Sequence, residues 1–231
     1  VHAETSDYAA PRVRFVATDG KRLSLAPVAC TSSPSRKVFV VVPTQAMELM
    51  ASITPKGADI SMSSGEAVIV MSAPGVKLAA RLIEGHFPPY EDVLPKSHAI
   101  TVTVDRKALL SAVKGMTVTE MQYHNKKVKG KDVRIKDGKS ILPLRFSFRP
   151  DNIRLQRRAT ADTGAASTTV QAEMAGREDT LDSGFNPSYV AEMLSSIDGE
   201  TVRLKLKDAR SAIAIEAPDG YAHLIAPVNL G

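Results

Sequence analysis

A chain of 231 residues holds one large domain or two ordinary ones; its 43% hydrophobic content, with 14 Gly and 14 Pro scattered along it, excludes collagen, coiled coil and disorder. The single cysteine, Cys30, permits neither an internal disulfide nor a cysteine-built zinc site, and suits a reducing, cytoplasmic setting. The net charge of +5 is concentrated: between Glu120 and Ser140 seven basic residues stand against three acidic ones, which leaves the other 210 residues nearly neutral.

The segment from His2 to Asp7 has neither the basic start nor the apolar run of a signal peptide, and no run approaches the ~18 apolar residues of a membrane span. A protein neither exported nor membrane-bound is expected. A first residue Val1, a few positions before a strand pattern, reads as the later part of something longer.

In chain order, residues 13–18 and 23–25 flank Asp19-Gly20-Lys21-Arg22, a strong hairpin signal. Pro43 then opens a helix to Ile53, with Ala46, Leu49, Met50 and Ile53 at the i, i+3, i+4, i+7 spacing of a buried stripe. Strands are expected at 60–62, 67–71 and 76–82, separated by turns at Ser63-Ser64-Gly65-Glu66 and Ala73-Pro74-Gly75. A linker runs through Leu94-Pro95-Lys96-Ser97-His98. Asp105 is placed to cap a helix over 106–118, whose Leu109, Leu110, Val113 and Met116 form its apolar stripe.

Residues 126–139 show little apolar periodicity and are interrupted by Lys129-Gly130-Lys131 and Asp137-Gly138-Lys139. The pattern predicts an exposed basic arm that holds DNA, or a solvated hairpin that only aids solubility. Leu144, Phe146 and Phe148 alternate with Arg145, Ser147 and Arg149, turn at Pro150-Asp151-Asn152, and resume at 153–155. Pro187 opens a helix to Ile197 with the stripe Val190, Met193, Leu194 and Ile197, and strands follow at 202–206, 212–216 and 221–226.

The two helix-plus-meander stretches resemble each other. Residues 43–53 align without a gap to 187–197, sharing Pro, Glu, Ser and Ile in register. A duplication of this length is too long for a solenoid repeat, so the expected class is α+β, with tandem domains at 1–95 and 96–231, each packing helices on antiparallel sheets. The helix at 106–118 has no counterpart in the first copy.

Catalytic signatures are missing from the pattern. His2, His86, His98, His124 and His223 lie far apart, and no HExxH, CxxC, GxSxG or phosphate-loop pattern occurs. Cys30 lies in a polar loop with no base beside it. Glu91-Asp92 and Glu178-Asp179 are adjacent carboxylates that could hold Mg²⁺ for a nuclease, but such pairs in turns are ordinarily solvated surface. No cofactor and no metal are expected. On the helix from Arg106, Lys107, Ser111 and Lys114 line the face opposite the apolar stripe; this is either an ordinary solvated face or a phosphate-tracking stripe without sequence readout. The apolar end, residues 222–230, is either a strand tucked into its own core or an apolar lip of a ligand groove.

Four segments, in order, resemble signatures of the bacterial DNA polymerase III beta-subunit family, the sliding clamps. They are Ala17-Thr18-Asp19-Gly20-Lys21-Arg22-Leu23-Ser24-Leu25, the stretch from Arg81 to Pro95 containing Glu84-Gly85-His86-Phe87-Pro88-Pro89-Tyr90, then Gly184-Phe185-Asn186-Pro187-Ser188-Tyr189-Val190, and Ile225-Ala226-Pro227-Val228-Asn229-Leu230. The resemblance corresponds to the later part of that family's second domain and all of its third. It implies a non-catalytic processivity factor, a homodimeric ring in the full-length family, encircling duplex DNA without sequence preference.

The resemblance also implies an interdomain peptide pocket that takes short linear motifs of polymerase and clamp-loader subunits. By position it includes Thr18, Gly20, Lys21, Arg22 and Leu23 from the hairpin, and Pro88 and Val93 from the connector. From the last domain it includes Arg210 and Ala212, then Leu224, Ala226, Pro227, Val228, Asn229 and Leu230. Arg106, Lys107 and Lys114, with Lys126, Lys127, Lys129 and Lys131, are the expected DNA-facing residues. Lys21, Asp92 and Asn229 depart from residues common in the family. The rival readings are a peptide-binding adaptor that never encircles DNA and a metal-dependent nuclease.

Overall fold

The computed structural model describes residues 2–6, 12–31, 38–95, 97–117, 119–128, 131–159, 164–217 and 220–230, with the backbone alone described over 2–6, 119–128 and 131–140. The chain divides into two compact units, residues 1–94 and 95–231.

In the first unit, β1 (His2–Ser6), β2 (Arg12–Thr18), β3 (Arg22–Ala29) and β4 (Phe39–Val41) form an antiparallel sheet in the order β3-β2-β1-β4. The pairing Thr18↔Leu23 leaves residues 19–22 as a tight turn, where the sequence places its hairpin signal. Helix α1 (Thr44–Ile53) starts behind Pro43, whose ring suits a helix entrance. It is followed by the meander β5 (Ser61–Ser64), β6 (Val68–Ala73) and β7 (Val76–Arg81). Val42, Met50, Ile69 and Met71 form a small core between α1 and this sheet. The expected turn at Ser63-Ser64-Gly65-Glu66 shifts: both serines stay in β5, and Gly65 donates its amide to Val68 O at 2.9 Å. Serine hydroxyls favour turns only weakly, so pairing with β6 prevails.

The second unit is built on eight strands: β8 (Ile100–Asp105), β11 (Leu144–Phe148), β12 (Asn152–Arg157), β13 (Ala166–Ala175), β14 (Leu181–Phe185), β15 (Thr201–Leu206), β16 (Ile213–Glu216) and β17 (Ala222–Ile225). They pair in the order β14-β11-β12-β13-β8-β15-β16-β17. Strand β13 turns the corner of this ladder, because Ala166–Gln171 pair with β12 whereas Ala172–Ala175 pair with β8. One strand serving two partners in succession lets the ladder fold around a core. That core joins Phe146, Phe148 and Phe185, whose Phe146–Phe185 rings meet edge-on at 5.5 Å, to Leu109 and Val113 of α2 (Arg106–Met116) and Val190 and Leu194 of α3 (Pro187–Ser196). Between α2 and β11 lies a hairpin, β9 (Thr119–Val128) and β10 (Lys131–Ile141).

Both helix entrances of this unit follow from local chemistry. Asp105 accepts the Ala108 amide at 2.6 Å, and Asn186 accepts that of Ser188 at 2.9 Å ahead of Pro187 in the first turn. Helix α2 ends at Met116, short of the expected 118, and Leu110 is half-buried while Leu109, Val113 and Met116 are buried.

The internal duplication is borne out as helix-then-meander in both units, with one difference. Met193 and Ile197 are 4% and 3% exposed, but their counterparts Leu49 and Ile53 are 48% and 40% exposed. Helix α3 packs against α2, and among the described residues the first unit has no equivalent of α2 to cover α1. The stripe expected to be buried on α1 is therefore buried only at Met50.

The basic segment is a regular hairpin in its backbone. Its Asp137-Gly138-Lys139 is not a chain break; it lies within β10 as a register shift between Lys136 and Gly138, since glycine accommodates an extra residue in a ladder. The side chains of Lys126, Lys127 and Lys131, and Lys129 entirely, lie outside the described residues.

Candidate functional site

The expected peptide-site residues divide between the two units, and each group is built by a turn that an aspartate organises. In the first unit the Asp19 carboxylate accepts the amides of Lys21 and Arg22 at 2.9 and 3.0 Å and the Arg22 Nε at 3.0 Å. Slight burial pushes the Asp19 carboxyl upward, but these amides and the guanidinium outweigh it and hold its pKa below the ordinary value. The Thr18 hydroxyl closes the same turn, donating to Arg22 O at 2.7 Å and accepting the Gly20 amide at 3.1 Å. Gly20 sits at φ +81°, a conformation that favours glycine. Thr18, Gly20 and Lys21 are thus exposed on a fixed tip, above the buried Leu23.

The connector is tied to the same sheet. A 3-10 turn spans Tyr90–Asp92, and its Glu91 pairs with Arg14 of β2 at 3.6 Å. Pro88 and Val93 flank this turn and are exposed, Val93 at 59%.

In the second unit, the loop 207–212 and the tail 226–230 converge on edge strand β14. The Asp208 carboxylate accepts the Arg210 amide at 2.8 Å, which with the Ser211 hydroxyl holds the acid below its ordinary pKa. Ser183, a buried polar residue of β14, donates its hydroxyl to Ala209 O at 2.9 Å. Next to it, Gly184 accepts the Val228 amide at 2.9 Å. Val228 lies three positions past the end of β17, a reach of at most about 11 Å, so both ends of the eight-strand ladder are drawn together here. Ser183 thus holds the loop that carries Arg210 and Ala212 at Ala209, and the adjacent Gly184 holds Val228 with Leu230 beside it. Gly184 lies within one of the motifs that carry the family resemblance, but no local signal in the sequence marks either residue for this role.

Leu224 is buried at 4% exposure, whereas Val228 is 37% exposed. Ala226, Pro227 and Leu230 are half-buried. The first part of this segment, β17, is thus a strand of the unit's own sheet, and Val228 beyond it is exposed.

Lys107 and Lys114 are exposed on α2 as expected. Arg106 is half-buried and donates through Nε to Gly199 O at 2.7 Å and through Nη1 to Leu194 O at 3.0 Å, so its head is fixed to α3 rather than extended into solvent. Between α2 and α3 runs an open groove of about 760 Å³ lined by Lys114, Thr117, Ser188, Ala191, Glu192, Ser195 and Ser196. The hydroxyls of Thr117, Ser195 and Ser196 donate to helix carbonyls of Val113, Ala191 and Met193. One lysine beside one glutamate, with hydroxyls already engaged, makes a weak anion surface rather than a tight one.

Both adjacent carboxylate pairs are partly neutralised by arginine: Glu91 by Arg14, and Asp179 by Arg177, whose Nε lies 2.6 Å from Oδ1. The described residues contain no cluster of three or more His, Cys, Asp or Glu able to hold a metal ion. No described helix is long and apolar enough to cross a membrane.

Comparison with known proteins covers nearly the whole chain. The family model described as DNA polymerase III beta subunit, central domain, matches residues 2–89, and the one described as its C-terminal domain matches 91–229. The beta sliding clamp of Synechococcus elongatus is 27% identical over 225 residues, which cover 94% of this chain and 55% of that protein. That of Pseudomonas aeruginosa is 26% identical over 221 residues with the same shares. The chain spans about half the length of the curated relatives it matches. A crystal structure of the DNA polymerase III subunit beta from Pseudomonas aeruginosa has the same fold, with TM-score 0.80 at 24% identity, over 99% of this chain and 57% of that one.

Proposed function

Because this chain belongs to the DNA polymerase III beta-subunit family, we propose that it is the peptide-binding part of a non-catalytic sliding clamp. In this reading it holds polymerase and clamp-loader subunits by short linear motifs, and in a homodimeric ring it encircles duplex DNA in the cytoplasm. The observation that carries the peptide site is the convergence of the 207–212 loop and the apolar tail on Ser183 and Gly184 of β14. In the first unit the hairpin tip at Thr18 to Leu23, with Pro88 and Val93, presents further residues of the kind such motifs meet. Apolar Leu224, Val228 and Leu230 suit the apolar anchors of an extended peptide, and exposed Lys21 and Arg210 suit its polar backbone and flanks.

Loose attraction through Lys107, Lys114 and the β9–β10 hairpin suits a ring that slides, because topological linkage needs no tight contact. A mixed-charge groove between α2 and α3 supports the same reading. Fluorescence titration with a peptide containing leucine and phenylalanine anchors tests the site, with binding expected in the micromolar range. Val228→Glu, at an exposed position, should abolish it by placing an unpaired charge on the apolar surface, whereas Leu224→Asp, at a buried position, should abolish it together with the stability of its unit. Affinity unchanged in Val228→Glu would place the peptide elsewhere. Retention on circular but not linear DNA separates an encircling clamp from an adaptor that binds peptides alone.

A further inference from the structure

We infer that Gly184 and Arg158 are positioning residues for the peptide site, holding the carboxyl-terminal tail on edge strand β14 in its binding shape. The inference rests on the peptide-site reading above and adds residues that touch no peptide in it. Two contacts and one steric fact carry it. The Val228 amide donates to Gly184 O at 2.9 Å, which adds the tail to a strand edge otherwise paired on one side only, by β11. Arg158, just past the end of β12, donates through Nη1 to Leu230 O at 3.3 Å.

The steric fact explains why position 184 is glycine. A Cβ there would lie 2.6 Å from Val228 O and 2.7 Å from both Cγ and Cδ2 of Leu230, closer than real Cβ contacts come. No positive φ is involved at this residue, so the demand comes from the tail seated on it and not from the backbone of β14. Leu230 fills the space that any side chain at 184 would take. This seat fixes Val228 through its amide and Leu230 through its side chain, two of the tail residues that follow β17. A tail that must be ordered upon binding weakens a peptide by the entropy of that ordering, whereas a seated tail has already been ordered by folding.

Hydrogen exchange at the Val228 amide and peptide titration, made together on the full chain, test this. Gly184→Ala should accelerate Val228 exchange and weaken peptide binding by about tenfold or more, leaving exchange in β15 and β16 unchanged. Arg158→Leu, at an exposed position, should produce the smaller version of both effects, and Arg158→Lys should restore part of each. If Gly184→Ala does not fold, the two Arg158 variants carry the comparison. Accelerated exchange with unaltered peptide affinity would overturn the inference, and so would unaltered exchange. A wild-type chain that binds no peptide, yet shows a protected Val228, would instead sink the peptide-site reading itself.

Discussion

Arg106, the first residue of α2, donates to the carbonyl oxygen of Leu194 in the last turn of α3 at 3.0 Å, and to Gly199 O just beyond it at 2.7 Å. The last carbonyls of a helix have no partner within it, and a cation there also opposes the negative end of the helix dipole. Arg106, expected from the family resemblance to face DNA, is therefore a brace between the two helices of its unit.

Replacing Arg106 with Ala should destabilise the chain by about 1–3 kcal/mol in urea unfolding, since carbonyls near the packed helix end lose a charged donor. Lys107→Ala, its exposed neighbour, should change stability by less than about 0.5 kcal/mol. Equal effects of the two would remove the brace.

The exposed lysines should instead appear in the salt dependence of DNA affinity. Lys107→Ser with Lys114→Ser should flatten the log–log slope by ~1.8 units, at ~0.9 per lost phosphate contact. Changing Lys126, Lys127, Lys129 and Lys131 to Ser should flatten it by up to ~3.6 units on the same basis. Superimposable slopes would leave either set without a part in DNA binding.

Asp19 and Asp208 hold their turns more strongly as carboxylates than as neutral acids. Both have folded pKa values lowered from the ordinary 3.8, so each contributes its full stabilisation above that value and loses it as pH falls through the lower folded one. Carboxyl-carbon NMR titration should place both midpoints below 3.8, and the hairpin and the 207–212 loop should persist at pH 4. A midpoint above 3.8 for either would contradict the turn geometry.

The duplicated helices make an internal control for packing. Met193→Ala and Ile197→Ala should each cost about 2–5 kcal/mol, while Leu49→Ala and Ile53→Ala, at matching positions, should cost about 1 kcal/mol or less. Urea midpoints of the four variants decide it, and equal losses would mean that α1 is covered after all.

Local signals in the sequence determined the elements whose stability is local. The Asp19-Gly20 turn, the Asp105 cap, Pro187 at a helix entrance and the alternation at 144–148 each encode a short-range geometry, and each stands where its pattern put it. Strand β8 shows the same alternation at Ile100, Val102 and Val104, a short pattern overshadowed by the stronger helix signal that follows. The segments 166–175 and 181–185 are less legible, because β13 changes partner midway and β14 mixes Asp182 and Gly184 with apolar neighbours. Apolar stripes of the same spacing on α1 and α3 could not disclose that only one is covered, since burial depends on what packs opposite. The same holds for the site. The motif order carried the resemblance, but Arg106 facing α3, Ser183 bonded to Ala209 and the tail seated on Gly184 join residues that lie 26 to 93 positions apart or meet across a ladder. Such contacts exist only once β13 has turned its corner and the two ends of the ladder have met, so tertiary closure decided them.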